Sequence, residues 1–223
     1  LLASSAASDV YKRQGSRSLS SVVIVKKDSG SGLDIQTKNI SFCTEGMYQN
    51  ACATAGITDA DIVVAGPTSI SGTAALVGIF KAYSEMTGQE IPEDIIDGAL
   101  NELVVTGRLE DSISNVDGED LESLIAYLKQ QMVENGLDDE EGIQDAVDAA
   151  CEEYDISLTD DEKAQIVDLL LKLSKLNLDA DTINKAQKLL DSLTSVTDSG
   201  SQIGTFFANL WKAISDFFQN LFG

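Results

Sequence analysis

The run Gly66-Pro67-Thr68-Ser69-Ile70-Ser71-Gly72-Thr73 gathers hydroxyls and glycines between a β-branched stretch and a helical pattern. Backbone N–H groups at a helix start, with the hydroxyls of Thr68, Ser69, Ser71 and Thr73 nearby, can cradle a carboxylate or phosphate, while Gly66 and Gly72 let the backbone come close. The segment is not a phosphate-binding P-loop, because it lacks the GK[ST] ending. Nor is it a nucleophile elbow, because neither serine has the flanking glycines of a G-x-S-x-G frame and no base is at hand. The same residues also suit a structural turn in which Gly66 and Pro67 set the geometry and Ser71 caps the helix. Both readings stand at this point. The candidate ligand-binding set is Gly66, Thr68, Ser69, Ser71, Gly72 and Thr73.

No other constellation carries chemistry. The chain has no histidine, which removes Ser-His-Asp and Cys-His catalysis and histidine metal ligands. The three cysteines, Cys43, Cys52 and Cys151, have no metal-site spacing. Cys43 and Cys52 flank most of a helix, about 13 Å of rise, too far for a disulfide. Cys151 falls on an apolar stripe and reads as a small buried hydrophobe. Acidic clusters around Asp117, Asp138 and Glu152 lack the alternating spacing of a calcium loop and mostly sit at helix starts, where carboxylates offset the helix dipole. A formal charge of −22 repels phosphate backbones, so nucleic acid is not an expected partner. No catalytic residue, metal or cofactor is assigned.

The elements around the turn follow from local pattern. Residues 20–26 and 33–40 are β-rich and flank the turn cluster 28–32, which predicts a β-hairpin. Thr44 predicts a helix N-cap, with a stop at Gly56. Residues 61–65 predict a buried third strand that breaks at Gly66-Pro67, and Ser71 predicts the opening of a second helix ending at Gly88. Beyond Pro92 amphipathic helices follow one another. Their apolar stripes run through Ile95, Ile96, Leu100, Leu103 and Val104, then Leu121, Leu124, Ile125, Leu128 and Met132, then Ile143, Val147, Cys151 and Tyr154. Thr159 with Glu162 predicts a capping box before Ile166, Val167, Leu170 and Leu173, and Asp179 predicts the cap of a fifth helix through Ile183, Ala186, Leu190 and Leu193. The fold class is therefore α+β: a small β-β-α-β head over residues 15–90, a helical body of about five helices over 91–193, a linker over 194–204 and a C-terminal amphipathic helix over 205–223.

That last helix has the sharpest apolar face. Phe206, Phe207, Leu210, Trp211, Ile214, Phe217, Phe218 and Leu221 share it, opposite Asn209, Lys212, Asp216 and Gln219. It is too short and too polar to span a bilayer and lacks the basic face of a typical anionic-membrane helix. It is expected to dock on its own chain, a sister chain, or a membrane or envelope surface, as a separable appendage.

The stretch 65–82, AGPTSISGTAALVGIFKA, resembles a signature of the YpuA-like proteins, family 1002 among the domains of unknown function. Residues 15–21, Asn39 and Ile40 with Thr44, Met47 and Tyr48, and residues 101–107 resemble further segments of that family in the same order, so the resemblance runs over about residues 15–193. It implies an exported or cell-envelope protein of Gram-positive bacteria, with no activity or catalytic residues to carry over. Residues 4–14, SSAASDVYKRQ, resemble the in-frame translation of a transposase sequencing adapter. Residues 1–14 are therefore expected to be foreign and disordered, and the leader peptide that the family commonly carries is expected to be missing. The functional expectation is a non-enzymatic binding or interaction module, the rival being a small-anion receptor, small-ligand receptor or enzyme that uses residues 66–74.

Overall fold

The computed structural model describes residues 20–114 and 116–183. They form three strands, β1 (Ser21–Lys26), β2 (Leu33–Ile40) and β3 (Ala60–Ile70), and six helices. The helices are α1 (Glu45–Thr54), α2 (Thr73–Thr87), α3 (Glu93–Ser112), α4 (Gly118–Asn135), α5 (Glu140–Glu153) and α6 (Asp160–Leu173). The class is α+β. The expected linker and C-terminal helix, the segment 1–14, and Ala186, Leu190 and Leu193 all lie outside the described residues.

The expected hairpin does not form. The sheet order is β1-β3-β2, with β3 antiparallel to β1 and parallel to β2. The turn cluster instead bridges over the start of β3. Asp59 Oδ1 accepts from Gly30 N–H at 2.8 Å and Gly32 N–H at 3.0 Å, and Lys27 N–H donates to the Asp59 carbonyl. This holds the strands apart by the width of the one that enters between them. β3 takes the centre because Ile62, Val63 and Val64 are its most apolar stretch and a central strand is covered most completely. A parallel neighbour needs a crossover, and α1 supplies it between β2 and β3.

Most local signals at helix ends hold. Thr44 caps α1 by accepting from Met47 N–H at 3.1 Å, and Gly88 ends α2 in the left-handed region. Thr159 and Glu162 complete the capping box of α6, and Asp179 accepts from Thr182 N–H. Leu121, Leu124, Ile125, Leu128 and Met132 are all buried, as are Ile143, Val147, Cys151, Ile166, Val167, Leu170, Leu173 and Ile183. Tyr154 departs from its stripe. It is 50% exposed because α5 has already ended at Glu153, and its ring sits edge-on to Tyr127 at 5.3 Å.

Two apolar cores result. The sheet face bearing Leu33, Ile35, Ile62 and Val64 packs with Met47, Tyr48 and Ala51 of α1 and Leu76, Ile79 and Phe80 of α2. The second core joins α4, α5 and α6 through Leu124, Ile125, Ile143, Val147, Ile166 and Leu170. Helix α3 serves both, placing Ala99 and Leu103 in the first and Leu109 in the second.

Next to Leu103, α3 also buries a charge. Glu102 is fully buried, and Oε1 lies 2.6 Å from Nζ of Lys129 on α4, itself 1% exposed. The ammonium also donates to the Asn50 carbonyl at 2.8 Å and the Thr54 hydroxyl at 3.0 Å, both on α1. Thr54 Oγ1 donates in turn to Glu102 Oε2 at 2.6 Å. Removing both charges from water costs several kcal/mol per ion, which their attraction and these hydrogen bonds offset. Breaking the pair from one side leaves a buried charge alone. Lys129→Met is therefore expected to lower unfolding stability by about 3–5 kcal/mol, whereas the apolar double change Glu102→Leu with Lys129→Met brings it back to within about 1 kcal/mol of the parent or above. Urea titration of the three proteins measures both numbers.

Candidate functional site

The turn identified in the sequence sits at the end of β3, and its local form differs from expectation in two ways. β3 does not break at Gly66-Pro67 but runs on to Ile70. It pairs with β2 at Lys38 with Ala65 and again at Ile40 with Ile70, so the intervening residues of β3 bulge out of the ladder. Asn39, at φ +55°, marks the same irregularity on β2, and its Nδ2 donates to the Gly66 carbonyl at 2.9 Å. A bulge re-aims side chains. Here Pro67, Thr68 and Ser69 form an exposed crest, while Gly66 beneath them is buried.

The second difference is the cap. Helix α2 begins at Thr73, and its N-cap is Gly72 at φ +90°, not Ser71. Ser71 is displaced from that role because its carbonyl accepts from Cys43 N–H at 3.1 Å, and its hydroxyl faces Thr73 Oγ1 at 3.4 Å. Glycine is required at 72 on two counts. Its backbone is left-handed, and a Cβ there would stand 2.5 Å from both Ile40 Cγ2 and Tyr48 Oη. The Tyr48 hydroxyl donates to the Gly72 carbonyl at 2.7 Å. Burial first of all, then the neighbouring Cys43, raises the Tyr48 phenol above its ordinary value, so it stays protonated as that donor.

The backbone of the turn is thus gripped by the segment 39–48. Asn39 holds Gly66, Ser41 N–H and Oγ hold the Ile70 carbonyl at 2.8 Å and 3.1 Å, Cys43 holds Ser71 and Tyr48 holds Gly72. Of the six candidate residues, Thr68 and Ser69 are exposed, Ser71 is half-buried, and Gly66, Gly72 and Thr73 are buried. No side chain caps α2. The second candidate surface, Phe206, Phe207, Leu210, Trp211, Ile214, Phe217, Phe218 and Leu221, lies outside the described residues.

The cysteines are free and buried. Burial pushes the Cys43 thiol up to about 12, with Tyr48 opposing and Glu110 adding to the rise. Burial likewise raises Cys52 and Cys151, so all three remain thiols rather than reactive thiolates at neutral pH. Among the described residues no group of three or more acidic or cysteine side chains is placed to hold a metal ion. No described helix is long and apolar enough to cross a membrane.

The sequence reading did not single out the buried group formed by Glu102, Lys129, Asn50 and Thr54. The signal was present. Glu102 falls three residues after Ala99, and Lys129 falls between Ile125 and Met132, each on the apolar stripe of its helix. A charge on such a stripe must find a partner.

Fold and site together define an α+β protein built on a small mixed sheet, with a clamped crest at one end of its central strand. The chain belongs to the DUF1002 family of proteins of unknown function, whose model matches residues 4–190. That match includes the segment read above as adapter sequence. The chain is 38% identical over 216 residues to a Bacillus subtilis (strain 168) protein described as "Uncharacterized protein YpuA", an alignment covering 92% of this chain and 72% of that relative. No solved structure gives a significant match.

Substitution at the turn separates geometry from capping. Gly72→Ala is expected to cost about 1–3 kcal/mol through its left-handed backbone and the crowding of Ile40 and Tyr48. Ser71→Ala, with no cap to lose, stays within about 0.5 kcal/mol of the parent. Thermal unfolding of the two variants tests the assignment.

Proposed function

We propose that this protein is a non-enzymatic binding or interaction module that works outside the cell or at its envelope, and that the crest of Pro67, Thr68 and Ser69 is its contact element. One observation carries this reading. The backbone under the crest is fixed by hydrogen bonds from Asn39, Ser41, Cys43 and Tyr48, while three consecutive side chains above it face solvent. Contact residues held on a rigid support lose little freedom on binding, which favours affinity. The family resemblance supports the location, and the apolar pattern of residues 206–221 supports a second contact with a membrane surface, the envelope or a sister chain.

A second reading, a small-anion receptor, is favoured by the start of α2. Its cap residue offers no side-chain acceptor, and Ser71 and Thr73 hydroxyls lie beside it. An anion would accept from the first-turn amides.

Co-sedimentation of the full chain with isolated Gram-positive cell-wall sacculi tests the first reading. Replacing Pro67 with Ala and both Thr68 and Ser69 with Glu is expected to reduce binding at least about tenfold, roughly the loss of one good contact, without moving the unfolding midpoint. Undiminished binding by that variant contradicts the crest as the contact element. Calorimetry with phosphate, sulfate and acetate addresses the second reading, which requires heat from at least one of them that Gly72→Ala abolishes.

A further inference from the structure

A second group of polar side chains, Glu122 buried and Glu110 half-buried, gathers where α4 begins, apart from the crest and from the Glu102 pair, with Glu110 Oε2 lying against Gly118 in the first turn of α4. Glu110, near the end of α3, and Glu122, on α4, are hydrogen-bonded to each other. An ionised carboxylate only accepts hydrogen bonds, so two carboxyl groups in that contact hold a proton between them.

Their surroundings decide which one keeps the charge. Glu122 also accepts from the Thr44 hydroxyl and from Met47 N–H, at the start of α1, where the helix dipole favours an anion. It reaches so close to α1 that a Cβ at Gly46 would overlap its carboxylate. Among the described residues Glu110 has no such donors. Its Oε1 is buried without a partner. The charges that raise it are Glu122 on α4, Asp111 on α3 and Asp117 at the start of α4. Glu119 adds to the negative field on Glu122. From the loop before α1 the pair meets the neutral thiol of Cys43, and the carboxylate of Glu45 on α1 is turned to Thr37 N–H at 3.0 Å.

We infer that Glu110 and Glu122 form a proton-operated latch, in which one shared proton holds the end of α3 to α4 and, through Thr44, to the start of α1, and whose loss loosens that joint. The inference is independent of the binding role proposed above. Burial first, then Glu122, Asp111 and Asp117, push Glu110 up to about 8. Burial raises Glu122 as well, outweighing its donors.

The direction of the pH effect follows. In the unfolded chain both carboxyls release their protons near about 4.3, whereas the folded pair keeps one until about 8. Between those values the folded state binds the extra proton, so raising pH favours unfolding by up to about tenfold in the equilibrium constant per pH unit. Below the window both states are protonated, and above it both have lost the proton, so the dependence levels off.

The test compares urea unfolding of the full chain at pH 5, 6.5 and 8 with Glu110→Gln and with Glu90→Gln, an exposed position that removes the same charge. General repulsion within a chain of net charge −22 acts in the same direction, and the Glu90 variant reports it. The latch requires the unfolding constant of the parent and of Glu90→Gln to rise from pH 5 to 8 by at least about tenfold more than that of Glu110→Gln. A parent-like slope in Glu110→Gln, or an equal flattening in Glu90→Gln, overturns it. Carbon NMR of the glutamate carboxyls in the parent covers the case in which Glu110→Gln does not fold. One glutamate titrating near about 8 supports the latch, and all described glutamates titrating below about 5 refutes it.

Discussion

The Lys129 ammonium, buried among three helices, is the constraint on which the arrangement depends. It belongs to α4, its counter-ion Glu102 to α3, and its further acceptors, the Asn50 carbonyl and Thr54 hydroxyl, to α1. An apolar side chain in its place could slide along its neighbours at little cost, because dispersion and burial are not directional. A buried charge cannot slide, since every acceptor it leaves is a desolvation cost not recovered. Its contribution is to fix register between the sheet core and the helical core rather than to add stability.

The consequence reaches the surface through α1. The helix that offers Asn50 and Thr54 to Lys129 also carries Tyr48, whose hydroxyl holds the Gly72 carbonyl under the crest. The N-terminus of the same helix holds the Glu122 carboxylate. The position of α1 therefore links the ion pair to the clamped turn and to the paired carboxyls. Asn50 shows how tightly these groups are joined: its carbonyl accepts from Lys129 and its Nδ2 donates to the Glu122 carbonyl at 3.0 Å.

What was legible in the sequence was what is decided locally. Thr44, Thr159 and Asp179 act as caps because an N-cap needs only a side-chain oxygen and the next amides. Helical stripes from Leu121 onward were legible because periodicity alone marks the buried face. The hairpin misled because Asp28 to Gly32 has every residue of a tight turn, while the partner that keeps it open, Asp59, is distant in sequence. Ser71 misled in the same way, as its carbonyl and hydroxyl are engaged by Cys43 and Thr73 and the left-handed Gly72 takes the cap position. The bulge after Gly66 depends on register with β2, which no local pattern encodes.

Native-state hydrogen exchange tests the claim that the buried pair ties the two cores into one cooperative unit. The amides to follow are those of Cys52 in α1, Leu103 in α3 and Ile125 in α4, each fully buried beside the pair or on its helices. If the tie holds, the three open together, with one shared free energy and one shared dependence on denaturant. If Cys52 exchanges through an opening well below that of Ile125, the cores unfold separately and the buried pair does not join them.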